Sequence, residues 1–291
     1  IGIMLAFVFF GQQKAVPFWC LGALQELGKR MPATSQSSGD LLGRMQPTQD
    51  HTAAMFFVVV SAVWFGTSNS AREIVTERAI YLRERMVNLG LFNYVFSKFI
   101  ILSLICVLQC TILLGIVFFS LGFHGGIVAF ILELTVTIMV AINATALGLL
   151  LSTGVSSAEA AMSLTPIALI PQVVLGGLMV PMTTNPMLKP LMYIMPARWG
   201  FEGSITHERL ALATDPAWYV NLQNPALNDP SNYVVGGFFQ CAVAQVGSST
   251  LQGAWGFTNY LDIWLPSTIL FVMTVFMVGI LLVLLKRRDP V

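Results

Sequence analysis

Residues 99–123 read FIILSLICVLQCTILLGIVFFSLGF, 25 positions without a charge. At a rise of about 1.5 Å per residue, roughly 20 apolar residues carry an α-helix across the hydrocarbon core of a bilayer. This run is long enough to span. Working outward from it, uncharged runs of similar length occupy 52–71, 134–158, 160–188 and 263–285. The run at 134–158 extends back to Ile127 if Glu133 is tolerated inside the membrane. The opening segment Ile1–Phe10 is too short to cross, yet it starts inside an apolar run with no cleavage site, and reads as the outer end of a truncated first helix. On that reading the chain is a fragment whose natural start lies upstream.

Composition agrees with a membrane protein. The chain is 56% hydrophobic and 10% charged, with a mean hydropathy of +0.76. Soluble domains carry roughly 25% charged residues. The expected fold is an all-α polytopic membrane protein with six transmembrane helices, the first truncated, at 1–10, 52–70, 99–121, 127–152, 159–180 and 263–285. A cytoplasmic segment at 71–98 and an outer cap at 181–262 complete it. The cap is rich in aromatic residues and prolines and is expected to hold short re-entrant helices near 187–195 and 198–212. Segment 11–51 is turn-rich around Thr34–Gly39. The net charge of +1, with no long basic block, excludes a nucleic-acid partner.

Orientation follows from basic residues in short loops. Arg72, Arg78, Arg83, Arg85, Lys98, Lys286, Arg287 and Arg288 make up eight of the 15 Lys and Arg, and all lie close to span ends. Placing them inside puts both termini in the cytoplasm of a cell expected to carry the protein in its plasma membrane. Cys20 and Cys241 then share the outer side, where an oxidising compartment would allow a disulfide; two free thiols are the alternative. Cys106 and Cys110 fall four apart on one helix face and read as small packing residues.

The segment Ser70–Lys98, SAREIVTERAIYLRERMVNLGLFNYVFSK, alternates charges with Ile74, Ile80, Tyr81, Leu82 and Met86. That pattern describes a short amphipathic helix on the inner membrane face. A headgroup anchor and a protein-docking helix both fit it, although anchors favour Lys and Arg over Glu. Within it, E-R-A-I-Y-L-R-E-R-x-x-x-L-G-x-x-x-Y-x-x-S-K (Glu77–Lys98) resembles the first intracellular loop of type-2 ABC exporters, especially the G subfamily of the white/pleiotropic-drug-resistance branch. A second block is similar to the same family: G-G-L-M-V-P (Gly176–Pro181), Asn185-Pro186, then Y-I-M-P-A-R-W-G-F-E-G (Tyr193–Gly203). The long 11–51 connection departs from the family pattern and suggests a distinct, bacterial branch.

The resemblance implies the membrane-spanning permease half of an ATP-driven exporter. Two copies would pair around a central pathway for a lipid-like or amphipathic substrate, in contact with membrane lipids. The second and fifth helices would line that pathway through Ser61, Trp64, Phe65, Ser68, Ile170, Val173 and Val174, for which ordinary helix packing is the plainer alternative. Gly176, Gly177, Leu178 and Met179 match the family's hydrophobic valve. Glu77, Arg78, Arg83, Glu84 and Arg85 would meet an ABC nucleotide-binding domain, fused upstream or separate. ATP and Mg are expected on that domain, and no cofactor or metal on this chain. Gly22–Arg30 (GALQELGKR) superficially resembles a phosphate-binding loop, but the spacing is one residue too long and Arg30 stands where Ser or Thr must meet magnesium.

Three other readings are open, the third being a non-transporting structural or signalling membrane protein, which an absence of ATPase coupling in the full-length protein would support. A polysaccharide or glycolipid exporter of the same type would be favoured by aromatic residues along a continuous channel. A lipid-modifying membrane enzyme would need a convergent polar site. His51, His124 and His207 lie outside or at span edges, and Gly154-Val155-Ser156-Ser157 lacks the final glycine of a rhomboid-like motif. No catalytic residue is expected. Glu133, the only acid within a span, reads as snorkelling or pairing with an outer-loop group. Gln109 and Asn143 are candidates for hydrogen bonds between helices.

Overall fold

The computed structural model describes residues 1–9, 16–17, 47–121, 126–179, 186–214 and 264–288. Cys20, Cys241, the Gly22–Arg30 stretch and residues 215–263, which include most of the expected outer cap, lie outside the described residues. The fold is helical, apart from a two-residue parallel pairing of Val16–Pro17 with Pro47–Thr48. In chain order the helices are α1 (Gly2–Val8), α2 (Gln49–Ser70), α3 (Glu73–Thr76), α4 (Arg78–Arg85), α5 (Leu91–Leu121) and α6 (Gly126–Gly154). They continue with α7 (Ala158–Val174), α8 (Lys189–Tyr193), α9 (Pro196–Thr214) and α10 (Leu265–Arg288).

Among the described residues, four helical stretches are long and apolar enough to cross a membrane: Ala53–Thr76, Leu91–Leu121, Gly126–Gly154 and Leu265–Arg288. Helix α7 is apolar too, at 17 residues. Helix α5 has 31 residues and is about 46 Å long, well beyond the ~30 Å of a hydrocarbon core. Such a length is accommodated by tilting or by continuing beyond the apolar layer. The expected start at 99 marked where charge ends, whereas the helix begins at Leu91, just after the Asn88–Gly90 turn. Asn88 has φ 76° there, which breaks the chain direction.

Helix α6 is the centre of the bundle and packs against α2, α10, α9 and α5. Its contact with α2 is close because small residues face each other. A Cβ added at Gly66 would lie 2.3 Å from the Ala141 carbonyl oxygen, and one at Gly148 would lie 2.7 Å from that of Thr67. Without water to drive helices together, such backbone proximity supplies the dispersion contact that holds them. The hydroxyls buried among them return to their own helix. Thr67 donates to Val63 O, Ser70 to Gly66 O, and Thr145 to Ala141 O, so none carries an unmet donor into the core.

Polar amides add interhelical ties. Asn69 Nδ2 donates to Gln109 Oε1 at 2.8 Å, joining α2 to α5. Asn143 Nδ2 donates to Thr274 Oγ1 at 3.1 Å and to Leu270 O at 3.3 Å, joining α6 to α10. Both amides expected to bond between helices do so. Cys106 and Cys110 are buried, free thiols on the inward face of α5. The opposite face of α5 and most of α10 present Ile101, Leu104, Leu108, Phe271 and Phe276 outward, which suits a lipid solvent.

Candidate functional site

The charged segment between α2 and α5 is folded as two short helices. The expected single amphipathic helix is broken at Glu77, whose φ of −96° and ψ of 5° leave the helical region. Helix α3 has no side-chain cap of its own. Ser152 of α6 fills that role: its Oγ accepts from the amides of Ile74 and Val75, both at 3.0 Å. Lys98, two turns into α5, reaches back with Nζ 2.8 Å from Glu73 Oε1 and 2.6 Å from Glu77 Oε1. Beneath these pairs the rings of Tyr81 and Tyr94 pack with centroids 4.7 Å apart. Ile74, Tyr81, Val95, Leu102, Leu149 and Leu281 form one apolar cluster that joins α3, α4, α5, α6 and α10.

The five residues expected to meet an ATPase separate on this scaffold. Arg78, Arg83 and Glu84 are exposed on α4. Glu77 is half-buried and turned inward to Lys98, and Arg85 Nη1 donates to Leu89 O at 2.6 Å, closing the turn before α5. The latter two shape the segment, and the first three offer its free face. Lys98 and Ser152 were not singled out from sequence. Nothing in the spacing marks Ser152, while Lys98 stood in the quoted motif but read as the edge of a span.

The small-residue break follows α7. That helix ends at Val174, six residues before the expected boundary, because Gly177 takes φ 105°, a conformation that side chains rarely adopt. A Cβ at Gly176 would lie 2.6 Å from the Phe56 ring, so α2 closes directly onto the break. Leu178 is half-buried, and Met179 is exposed. Of the expected pathway residues, Trp64, Ile170 and Val174 are exposed on the adjacent helices α2 and α7. Phe65, Ser68 and Val173 are half-buried. Ser61 is buried and its hydroxyl donates to Phe57 O at 2.7 Å, so it offers no free donor.

Helix α9 holds the largest surprise. A helix is present where a short one was expected near 198–212, and it is buried on every side from Pro196 to His207, packed against α6, α2 and α10. Gln172 of α7 caps its start, accepting from the Ala197 amide at 3.1 Å. Arg198 and Glu202 are both 0% exposed and lie 3.0 Å apart, one helical turn along. The Arg198 guanidinium also sits 4.5 Å from the Tyr193 ring centroid and 4.6 Å from that of Trp199. An aromatic cage of this kind compensates a cation removed from water. On α6, buried Glu133 accepts a 2.5 Å hydrogen bond from Ser204 of α9. The acid thus pairs with α9, within the 181–262 segment expected to lie outside, where its sequence position allowed snorkelling or such a pairing. The i,i+4 spacing of Arg198 and Glu202 was the available signal for the buried pair.

Among the described residues, no group of three or more metal-ligating side chains converges. What the geometry does present is a helical bundle of membrane-crossing length, an exposed charged helix fastened at one end and a small-residue break beside an inserted helix. These features define a polytopic membrane protein whose specialised surfaces lie between its spans. The sequence profile of the ABC-2 type transporter family matches residues 1–208, and the chain belongs to that family. It is also 37% identical over 150 residues to an ABC transporter ATP-binding/permease protein of Mycobacterium tuberculosis. That match covers 50% of this chain and 17% of the mycobacterial protein, so the chain aligns with a small part of its relative. The chain is an ABC-2 transporter membrane permease domain.

Proposed function

We propose that this chain is the membrane half of an ATP-driven exporter of the G-subfamily-like, white/pleiotropic-drug-resistance branch, working as a pair of copies in a bacterial plasma membrane. The printed name of the mycobacterial relative joins ATP binding and permease in one polypeptide, which supports an ATPase domain fused to this one or acting beside it. The observation that carries the reading is α4. Its Arg78, Arg83 and Glu84 are exposed and of mixed sign, on a helix fastened to the bundle through Tyr81. A protein surface of complementary charge suits this face better than lipid headgroups do.

In this reading six helices span, with α1 and α7 adding to the four long ones, and α3–α4 faces the cytoplasm along with both termini. Trp64, Ile170 and Val174 face the pathway between copies, where aromatic and branched side chains bind an amphipathic, lipid-like substrate through area more than fixed hydrogen bonds. Leu178 and Met179, beyond the Gly176-Gly177 break, form the apolar constriction at its far end. The ATPase domain carries ATP and Mg, and its closure displaces α4 as a rigid body.

The test is a cysteine at Arg83 in the full-length protein. Oxidative cross-linking to a cysteine on the ATPase domain, enhanced by ATP and vanadate, is the expected result. A residue-83 cysteine that never cross-links while the same protein hydrolyses ATP would overturn the docking of α4.

A further inference from the structure

We propose that Lys98 is a positioning residue that makes α3, α4 and the near end of α5 one moving unit, so that displacement of α4 is delivered to α5. The inference rests on the coupling role given to α4 above, and names the part that carries the stroke onward. Lys98 Nζ lies between two carboxylates, Glu73 Oε1 at 2.8 Å and Glu77 Oε1 at 2.6 Å. These acids belong to different pieces of the segment: Glu73 opens α3, and Glu77 is the non-helical joint between α3 and α4. One ammonium therefore ties the start of α3 and the joint from which α4 departs to the same point on α5. Charge-assisted hydrogen bonds of this length are among the stronger polar contacts, and a lysine meets two acceptors at once without demanding a planar fork.

The arrangement around Lys98 supports a clamp over a passive surface pair. Without the ammonium, the two carboxylates, four residues apart, would repel across the joint. The opposite side of α3 is pinned independently, by Ser152 of α6 at the Ile74 and Val75 amides. Thus α3 is held at two posts: a neutral one on α6, and an ionic one on α5. The Tyr81–Tyr94 contact continues the α5 post along α4. All three acidic and basic groups remain half-buried, with side-chain exposures of 20% for Lys98, 33% for Glu73 and 39% for Glu77. The contact can therefore hold while the helices shift together.

The test uses the full-length transporter in lipid nanodiscs, with spin labels at the exposed positions Ala79 on α4 and Asn93 on α5. In the wild-type background the distance distribution between labels is expected to stay single and narrow, with or without trapping by ATP and vanadate. In Lys98→Met a second, longer population should appear on trapping, and Lys98→Arg should restore the narrow one. Glu73→Gln with Glu77→Gln, which removes the acceptor charges and leaves the lysine, should split the distribution as Lys98→Met does. A Lys98→Met distribution as narrow as wild type under trapping overturns the clamp. If the position-83 cross-link is present in that same variant, the clamp alone has failed. If the cross-link is absent in wild type as well, the coupling role of α4 has failed with it.

Discussion

Along α6, charge is handled in two ways. Eight residues from its start, Glu133 lies sealed beneath α9, bonded to Ser204, and α9 itself buries the Arg198–Glu202 pair at zero exposure. At the far end, near Gly154, the ionic contacts are Lys98 with Glu73 and Glu77, all half-open to solvent. The first arrangement surrounds its charges with aromatic rings and helix, and no water competes. The second leaves its charges where water and salt can exchange with them. A sealed pair is costly to disturb and fixes one geometry. An open pair contributes little to stability, whatever it does to hold neighbouring helices in register. The end of the bundle that is proposed to move is the end held by solvent-accessible charge.

The comparison breaks most directly at Arg198. Arg198→Ala takes the guanidinium from a carboxylate with no exposure, and a destabilisation of about 3–5 kcal/mol is expected. The Arg198→Met, Glu202→Met double variant should lose less. Thermal melting of the purified protein decides this, and a single variant that melts with wild type removes the structural weight given to the sealed pair. Next in size is Gly66→Val, where backbone stands 2.3 Å from the added carbon and overpacking costs about 1–3 kcal/mol. Gly115→Ala, with nothing within 4 Å, is its control and should leave the melting point unchanged or raise it. A Gly66 variant as stable as that control would mean that α2 and α6 separate easily.

Asn143→Ala sharpens the comparison by testing a neutral buried tie, worth about 0.6 kcal/mol on average for such bonds. Its loss should be smaller than that of Arg198→Ala and insensitive to salt. Smallest in stability is Lys98→Met, expected to cost about 0–1 kcal/mol in low salt and to match wild type in high salt. A large, salt-independent loss there would place Lys98 with the sealed charges and undo the contrast.

Much of this was legible because a membrane punishes charge. Runs without charge therefore locate spans, and α5, α6 and α10 follow theirs. Hydropathy marks the edge of the apolar layer, however, and a helix can continue beyond it. Residues 91–98 of α5 carry a lysine and two turns of helix that the run 99–123 could not reveal. The end of α7 shows the converse: 160–188 stays apolar, yet the backbone at Gly177 stops the helix. Helix α9 was legible as a helix near 198–212, but the burial of its Arg198, Glu202 and His207 was not, because it depends on the packing of Gln172, Tyr193 and Trp199 around its first turn. From Glu77 to Arg85 the sequence pointed to all five charged residues equally, and tertiary contacts alone divide Arg78, Arg83 and Glu84 from Glu77 and Arg85.

Arg288 bears on how the chain is made. Its guanidinium donates to the carbonyls of Thr153 and Gly154, the last turn of α6, from a helix synthesised 135 residues later. Until α10 is made, the final carbonyls of α6 lack this donor. They acquire a protein donor when α10 arrives. The central helix of the bundle thus receives its closing contact from α10, a helix made well after it.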